Sequence, residues 1–136
     1  MLKIPPALRY RNFSLLWVGL LVSVAGSQMQ LAALLWHMRL LSDQPLVVSG
    51  IGLVRVLPIV LLSPFAGLVA DRYNRRHIMF ITQTVTILAA ILLGVLTVMQ
   101  IIDIWQIYVL TAIQALAMVY DLPARQSLTP KLVPQD

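Results

Sequence analysis

The chain has 136 residues, of which 60% are hydrophobic and 11% charged, and a formal net charge of +5. Soluble domains carry about 25% charged residues and disordered chains are polar and highly charged, so the composition excludes both classes. The chain contains no Cys, which excludes a disulfide framework, a Cys-based metal site and a thiol nucleophile.

Four long apolar runs predict an all-α membrane protein with four transmembrane helices. Asn12–Trp36 and Ile78–Ile102 are each 25 residues without a charge, Leu46–Ala70 is interrupted only by Arg55, and Ile104–Tyr120 has 17 residues. A helix of about 20 apolar residues crosses a hydrocarbon core of ~30 Å and satisfies its own backbone groups in lipid. We predict spans at about 14–36, 48–70, 78–99 and 104–122, with a cytoplasmic tail or linker at 123–136.

The first run is longer than the 7–15 apolar residues of a signal peptide, so we expect an uncleaved first helix. The connections between the spans are short, which predicts that successive helices are antiparallel neighbours. Leu128, Leu132 and Val133 make the tail mildly amphipathic, as expected of a segment that lies on the membrane surface.

Lys and Arg residues are concentrated on one side of the predicted spans. Eight of the ten lie in the N-terminal segment, the loop after the second span and the tail, whereas Arg39 lies on the opposite side and Arg55 within a span. The side rich in Lys and Arg is cytoplasmic. We therefore expect a multi-pass protein of the plasma (inner) membrane with both termini cytoplasmic, whose charge serves orientation in the bilayer and not binding of nucleic acid.

The most specific motif lies where the second span meets the predicted cytoplasmic side: Gly67-Leu-Val-Ala-Asp71-Arg72-Tyr-Asn-Arg75-Arg76. The small Gly67 allows a second helix to approach closely, and Asp71 can hold a cation or the N-terminus of a neighbouring helix. Tyr73-Asn74 predicts a tight turn, since Asn tolerates the left-handed conformation. The three arginines can face lipid head groups. A loop whose charges only orient the chain is the alternative interpretation.

Polar side chains inside the spans are candidates for a substrate or ion path. Gly19, Ser23, Ser27 and Gln30 share one face of the first span, either for helix packing or to line a cavity, and Gln30 is the hardest to explain by packing. Arg55 would cost about 2.5–3.5 kcal/mol at a bilayer centre.

Two interpretations of Arg55 stay open: an anchor at the outer interface, and a cation that faces an anionic substrate or an acidic partner. The fourth span carries Thr111, Gln114 and Asp121 on one side. Asp121 is either a contact for a substrate or coupling ion or the partner of Arg125 in a local ion pair.

The loop motif resembles the signature between the second and third helices of the major facilitator superfamily of secondary transporters. Two further stretches resemble its enterobactin-exporter and macrolide-efflux-like branch: Leu8-Arg-Tyr-Arg-Asn-Phe-Ser-Leu-Leu-Trp17-Val-Gly19, and Asp121-Leu-Pro123-Ala-Arg125-Gln126-Ser-Leu-Thr-Pro130-Lys-Leu-Val-Pro134. The resemblance implies a permease with twelve helices in two halves, of which this chain is the first third. We therefore expect a truncated N-terminal bundle whose partners are the lipid bilayer, a small-molecule substrate and the remaining helices.

What the resemblance implies for function is proton-driven efflux, as an antiporter working by alternating access, of a small amphipathic molecule, drug or siderophore. In this family the loop acts as a conformational gate, so Asp71 would contact the other half of the transporter and Gly67 would make the close helix contact. Arg72, Arg75 and Arg76 would support them. Many proton-coupled members carry Arg-x-x-x-Gly in the fourth span, which is absent here, and Arg125 is the candidate substitute.

Two alternative functions exist for a chain with four spans. A small exporter that works as a four-span dimer depends on a Glu in its first span, and this chain has no acid between Asn12 and Trp36. A scaffold or assembly protein that transports nothing is the second alternative, in which the polar stripes are packing seams. His37 and His77 lie at opposite interfaces, so we expect no enzyme, no catalytic residues, no metal and no cofactor.

Overall fold

A computed structural model describes residues 11–128, except for the side chains of residues 12, 13 and 128. It contains four helices: α1 (Arg11–Leu41), α2 (Pro45–Arg72), α3 (Arg75–Val98) and α4 (Ile104–Leu128). All four are long and apolar enough to cross a membrane. The predicted fold class is confirmed: the chain is an all-α, multi-pass membrane protein. The cations at positions 3, 9 and 131, and the parts of the two flanking stretches before residue 11 and after residue 128, lie outside the described residues.

Each helix is longer than its predicted span, because polar residues at one or both of its ends are also helical. The clearest difference is α4, which continues as a helix through Pro123 to Leu128, six residues past the predicted end of the fourth span. Proline removes one backbone donor, a loss that membrane helices tolerate. A pair between Asp121 and Arg125, one turn apart, bridges the position of the proline.

The turn between α2 and α3 differs from the expected left-handed turn. Asn74 has φ −65° and ψ 116°, an extended conformation, and its side-chain oxygen accepts a hydrogen bond from the backbone N–H of Arg76 at 3.1 Å. Asn74 is therefore the N-cap of α3, a position where Asn is among the preferred residues. The non-glycine residue with a positive φ in the described chain is Gln100, at 58°, just beyond α3.

We name the two ends of the bundle by their connections. The turn end holds the turn at Tyr73 and Asn74, and the far end holds the links 42–44 and 99–103. Helices α2 and α4 run from the far end to the turn end, whereas α1 and α3 run the opposite way.

Helix α4 lies between α2 and α3 and packs extensively against both, whereas α2 and α3 touch each other little. The prediction that successive helices are neighbours is therefore wrong for α2 and α3, because their short turn joins only their ends. Small buried residues on α4, namely Ala115, Ala117 and Ala124, let the flanking helices approach closely. The fourth helix thus forms the centre of the described bundle.

The main hydrophobic core lies toward the far end and draws on all four helices: Leu34, Met38, Ile51, Ala89, Leu93, Ile102, Ile107 and Leu110. Helix α1 contributes only through its last part, since residues 14–33 include no buried residue. The turn-end half of α1 is therefore not packed into the bundle of described helices.

A contact at the far end sets the register of α2 against α4. The Tyr108 hydroxyl donates a hydrogen bond to the backbone carbonyl of Val47. It lies so close to Gly50 that a Cβ atom built there would be 2.6 Å from the hydroxyl oxygen. The absence of a Cβ atom at position 50 thus allows this approach of the two helices.

Candidate functional site

The first part of the loop motif presents an open surface. Gly67, Asp71 and Arg72 are exposed, and a Cβ atom built on Gly67 would meet nothing within 4 Å. The close helix contact predicted for Gly67 is not made by any helix that the structure describes. Likewise, no hydrogen bond or ion pair joins Asp71 to a described residue. The two residues predicted to contact the other half of the transporter, Gly67 and Asp71, therefore contact no other helix that the structure describes.

The second part of the motif is tied to α4. The Arg75 side chain is half-buried, and its Nη1 donates a hydrogen bond to the Ser127 carbonyl at 3.2 Å. Carbonyls of the last turn of a helix lack partners within the helix, and a cation there also interacts favourably with the helix dipole. Arg76 is exposed. Sequence reasoning missed the Arg75 contact, which depends on α4 continuing past Pro123.

Asp121 is held by partners on two helices. Its Oδ2 accepts hydrogen bonds from Nε and Nη2 of Arg125, at 3.1 Å and 3.0 Å, and its Oδ1 accepts one from the Thr82 hydroxyl at 3.0 Å. The predicted local ion pair is therefore confirmed. Thr82, buried on α3, was not predicted to take part. The sequence feature that could have indicated a polar contact here is the spacing of four residues between Thr82 and Thr86, which places two hydroxyls on one face of an apolar helix.

A second polar group lies nearer the middle of the bundle. Gln30 on α1 donates from Nε2 to Oε1 of Gln114 on α4 at 3.1 Å, and Gln114 donates to the backbone carbonyl of Thr86 on α3 at 3.3 Å. The structure thus joins two of the predicted path residues in a bridge across three helices. Amide side chains make such interhelical bonds inside membranes.

The serines of the α1 stripe do not join this bridge. Ser23 and Ser27 are exposed, and the Ser27 hydroxyl donates to the backbone carbonyl of Ser23 at 2.9 Å, within its own helix. A Cβ atom built on Gly19 would meet nothing within 4 Å. In the described chain, the stripe packs against no other helix before Gln30.

Arg55 lies on the packed side of α2. Ile51 and Ala66 are buried, and Pro58 and Leu62 are half-buried, on the same face. Arg55 is itself half-buried, and it forms no hydrogen bond or ion pair with a described residue. Since α2 packs mainly on α4, this face directs the cation toward the bundle and not away from it.

One further hydroxyl near this region has no partner. Thr111 is 3% exposed, and its Oγ1 makes no hydrogen bond within the described chain. Among the same residues, no group of three or more His, Cys, Asp or Glu side chains could hold a metal ion. The chemistry that these side chains offer is therefore fixed charge and hydrogen bonding, which can bind and orient a ligand.

The described residues thus form a multi-pass helical bundle with polar side chains between its spans and a charged motif at one end. The chain belongs to the transmembrane secretion effector family of the major facilitator superfamily, whose model matches residues 5–136. Members of this family are transporters and not enzymes.

Three relatives show which branch the chain resembles. Macrolide efflux protein A of Streptococcus pyogenes is 24% identical over 132 residues, which cover 94% of this chain and 33% of that protein. An uncharacterized MFS-type transporter, YfiS of Bacillus subtilis, is 32% identical over 95 residues, or 70% of this chain and 22% of that protein. Macrolide efflux protein A of Enterococcus faecalis is 24% identical over 90 residues, or 66% of this chain and 28% of that protein.

The resemblance to a macrolide-efflux-like branch is therefore confirmed. The chain spans about a third or less of the length of these relatives. No solved structure matches the chain at a significant level.

Proposed function

We propose that the protein to which this chain belongs exports a small amphipathic molecule, a drug or a siderophore, by alternating access. The observation that carries the proposal is the family match over residues 5–136, together with the likeness to macrolide efflux proteins along 94% of the chain. Alternating access is rocking of one helical bundle against another around a site between them. The described helices would supply one side of that site, and helices beyond this chain the other.

In this proposal, the candidate path is formed by Ser23, Ser27, Gln30, Arg55, Gln114 and Asp121. Ser23 and Ser27 support this assignment because their polar face is not packed by a described helix. The experiment is accumulation of a fluorescent macrolide conjugate in cells that express the full-length protein. Export lowers the accumulation relative to cells with an empty vector, and equal accumulation for every compound in a panel of amphipathic drugs and siderophores would refute the proposal.

The loop motif is proposed to be the conformational gate. Asp71 and Gly67 are free to contact the other half of the transporter, while Arg75 anchors the loop to α4 through Ser127. Asp71→Asn removes the charge and keeps the size, so we expect slower export with normal insertion. Asp43→Asn at the far end is the matched control, because Asp43 is also exposed. Equal export rates for the two variants would contradict the gate.

Proton coupling is proposed to act through Asp121. The carboxylate lies within a span and its two partners, Thr82 and Arg125, both donate to it. Protonation would remove the charge that Arg125 binds within α4, and it would weaken the charge-assisted hydrogen bond that Thr82 donates from α3. We expect Asp121→Asn to abolish the dependence of export on an imposed pH gradient, while Asp103→Asn preserves it. A gradient dependence that survives in Asp121→Asn would exclude this carboxylate as the carrier.

The turn end is proposed to be cytoplasmic, in the plasma (inner) membrane. The excess of Lys and Arg on that side supports the orientation. This chain contains no Cys, so single cysteines introduced into it can be labelled selectively in a protein freed of any others. Tyr73→Cys should react with a membrane-impermeant maleimide only after the cells are opened, and Asp103→Cys should react in intact cells. The reverse pattern would invert the topology.

A further inference from the structure

Polar side chains from three helices lie at one depth in the bundle. Gln30 comes eleven residues before the end of α1, and Arg55 and Gln114 each come ten residues after the start of their helix. At a rise of 1.5 Å per residue, all three are about 15–17 Å from the far end. We call these three side chains the polar layer.

The register of α2 against α4 agrees with this depth for Arg55. Tyr108 contacts Val47 and Gly50, and α2 and α4 run in the same direction. Counting down both helices from this contact sets Arg55 level with residues 113–116 of α4, the turn that contains Gln114. On this turn of α4, Ala115 is buried.

The polar layer lies where the tight packing of the bundle ends. On the far side it borders the hydrophobic core, which closes the bundle with residues of all four helices. On the turn side α1 has no buried residue among positions 14–33. Within the described residues, α1 therefore packs into the bundle on the far side of the polar layer and not on its turn side.

Each side chain of the polar layer has hydrogen-bond donors or acceptors that have no partner among the described residues. Arg55 makes no hydrogen bond with a described residue, although its guanidinium carries five donors. After the bonds of the bridge are made, the Oε1 of Gln30 and one N–H on each amide have no partner among the described residues. The nearest acid on α4, Asp121, is already occupied by Arg125 and Thr82.

We propose that the polar layer binds an anionic group of the exported molecule, a carboxylate or phosphate. Arg55 supplies the charge and the two-pronged geometry that matches such groups, and the free N–H groups of the Gln30–Gln114 pair donate further hydrogen bonds. This inference rests on the proposed export function and narrows it: acidic amphipathic molecules are preferred over neutral ones of the same shape.

The test compares two probes that differ only in charge, pyrenebutyrate and its neutral amide, pyrenebutyramide. Their binding to the purified full-length protein in phosphatidylcholine vesicles is measured by pyrene fluorescence. The wild type should bind the acid about tenfold more tightly than the amide. Arg55→Gln should remove that preference by weakening the acid about tenfold, with the amide unchanged. Arg39→Gln, an exposed arginine on α1, is the matched control and should retain the preference.

Equal binding of acid and amide by the wild type, or a preference that persists in Arg55→Gln, would overturn the inference. If Arg55→Gln cannot be purified as a folded protein, Arg55→Lys decides: it keeps the charge but loses the two-pronged geometry, so it should weaken binding of the acid, and an unchanged preference would overturn the inference. A wild type that exports both probes equally would overturn this inference and leave export intact. A wild type that exports neither these probes nor any of the drugs and siderophores would overturn export as well.

A lipid head group carries the same phosphate chemistry, and a second arm separates it from the substrate. The binding measurement is repeated with phosphatidylglycerol added to the vesicles. A preference for pyrenebutyrate that persists in anionic lipid supports a substrate site. A preference that anionic lipid abolishes would assign Arg55 to a lipid phosphate and overturn the proposal.

Discussion

Replacement of Gly50 by alanine tests the contact that sets the register between α2 and α4. The added Cβ atom would lie 2.6 Å from the Tyr108 hydroxyl oxygen, 3.1 Å from Cζ and 3.3 Å from Cε1. The first distance is shorter than real Cβ contacts allow, so the tyrosine must move away. Its hydroxyl then loses the hydrogen bond to the Val47 carbonyl.

The expected destabilisation is the difference between opposing effects. Overpacking in a core costs about 1–3 kcal/mol, and the lost hydrogen bond costs about 0.5–1.5 kcal/mol. In the opposite direction, alanine in place of glycine stabilises a helix by about 1 kcal/mol. We therefore expect Gly50→Ala to lower the free energy of unfolding by about 0.5–3.5 kcal/mol.

Titration of the full-length protein with a denaturing detergent measures this free energy. Two further variants are measured in the same way for comparison. Gly52→Ala, two residues away, has nothing within 4 Å of its new Cβ and should be neutral or slightly stabilising. Tyr108→Phe removes the atom in closest contact, so the double variant with Gly50→Ala should recover much of the loss. A Gly50→Ala protein as stable as Gly52→Ala, or no energetic coupling between positions 50 and 108, would refute the reasoning.

Two further substitutions are expected to change stability for reasons visible in single contacts. Asn74→Ala removes the cap of α3 and should lower the free energy of unfolding by about 1 kcal/mol in the same titration. Asn74→Ser should retain most of the stability. Equal losses for the two variants would contradict the capping role. Thr82→Val keeps the shape but removes a donor to the Asp121 carboxylate, a loss of about 1.5–3 kcal/mol. Thr84→Val is its control, since Thr84 is exposed and its hydroxyl bonds only within its own helix. A smaller loss of stability at position 82 than at position 84 would argue against the hydrogen bond from Thr82 to Asp121.

The existence of the four helices could be predicted from the sequence, but their ends could not. Twenty or so apolar residues in a row have one stable arrangement in lipid, since only a helix satisfies the backbone locally. The ends depend on polar side chains that find partners nearby, as Asn74 does at the start of α3 and Asp121 does near the end of α4. Hydrophobicity carries no information about such partners.

Within the candidate site, contacts along one helix could be predicted and contacts between helices could not. The pair of Asp121 and Arg125 follows from a spacing of four residues, which places both on one face. The hydrogen bond from Thr82 requires knowledge that α3 packs against α4. The glycines show the same limit: Gly67 belongs to the recognised motif but faces open space, whereas Gly50, which no motif marked, is in close contact with Tyr108.

The central position of α4 follows from its polar residues. It has the lowest mean hydropathy of the four spans and the largest buried share, because lipid offers no partners to side chains such as Gln114 and Asp121, while the neighbouring helices do. By the same reasoning, a helix that exposes polar side chains along a span must find other partners for them. On α1 the Ser27 hydroxyl meets this need within its own helix, whereas the exposed Ser23 hydroxyl has no partner among the described residues and is left for one outside them.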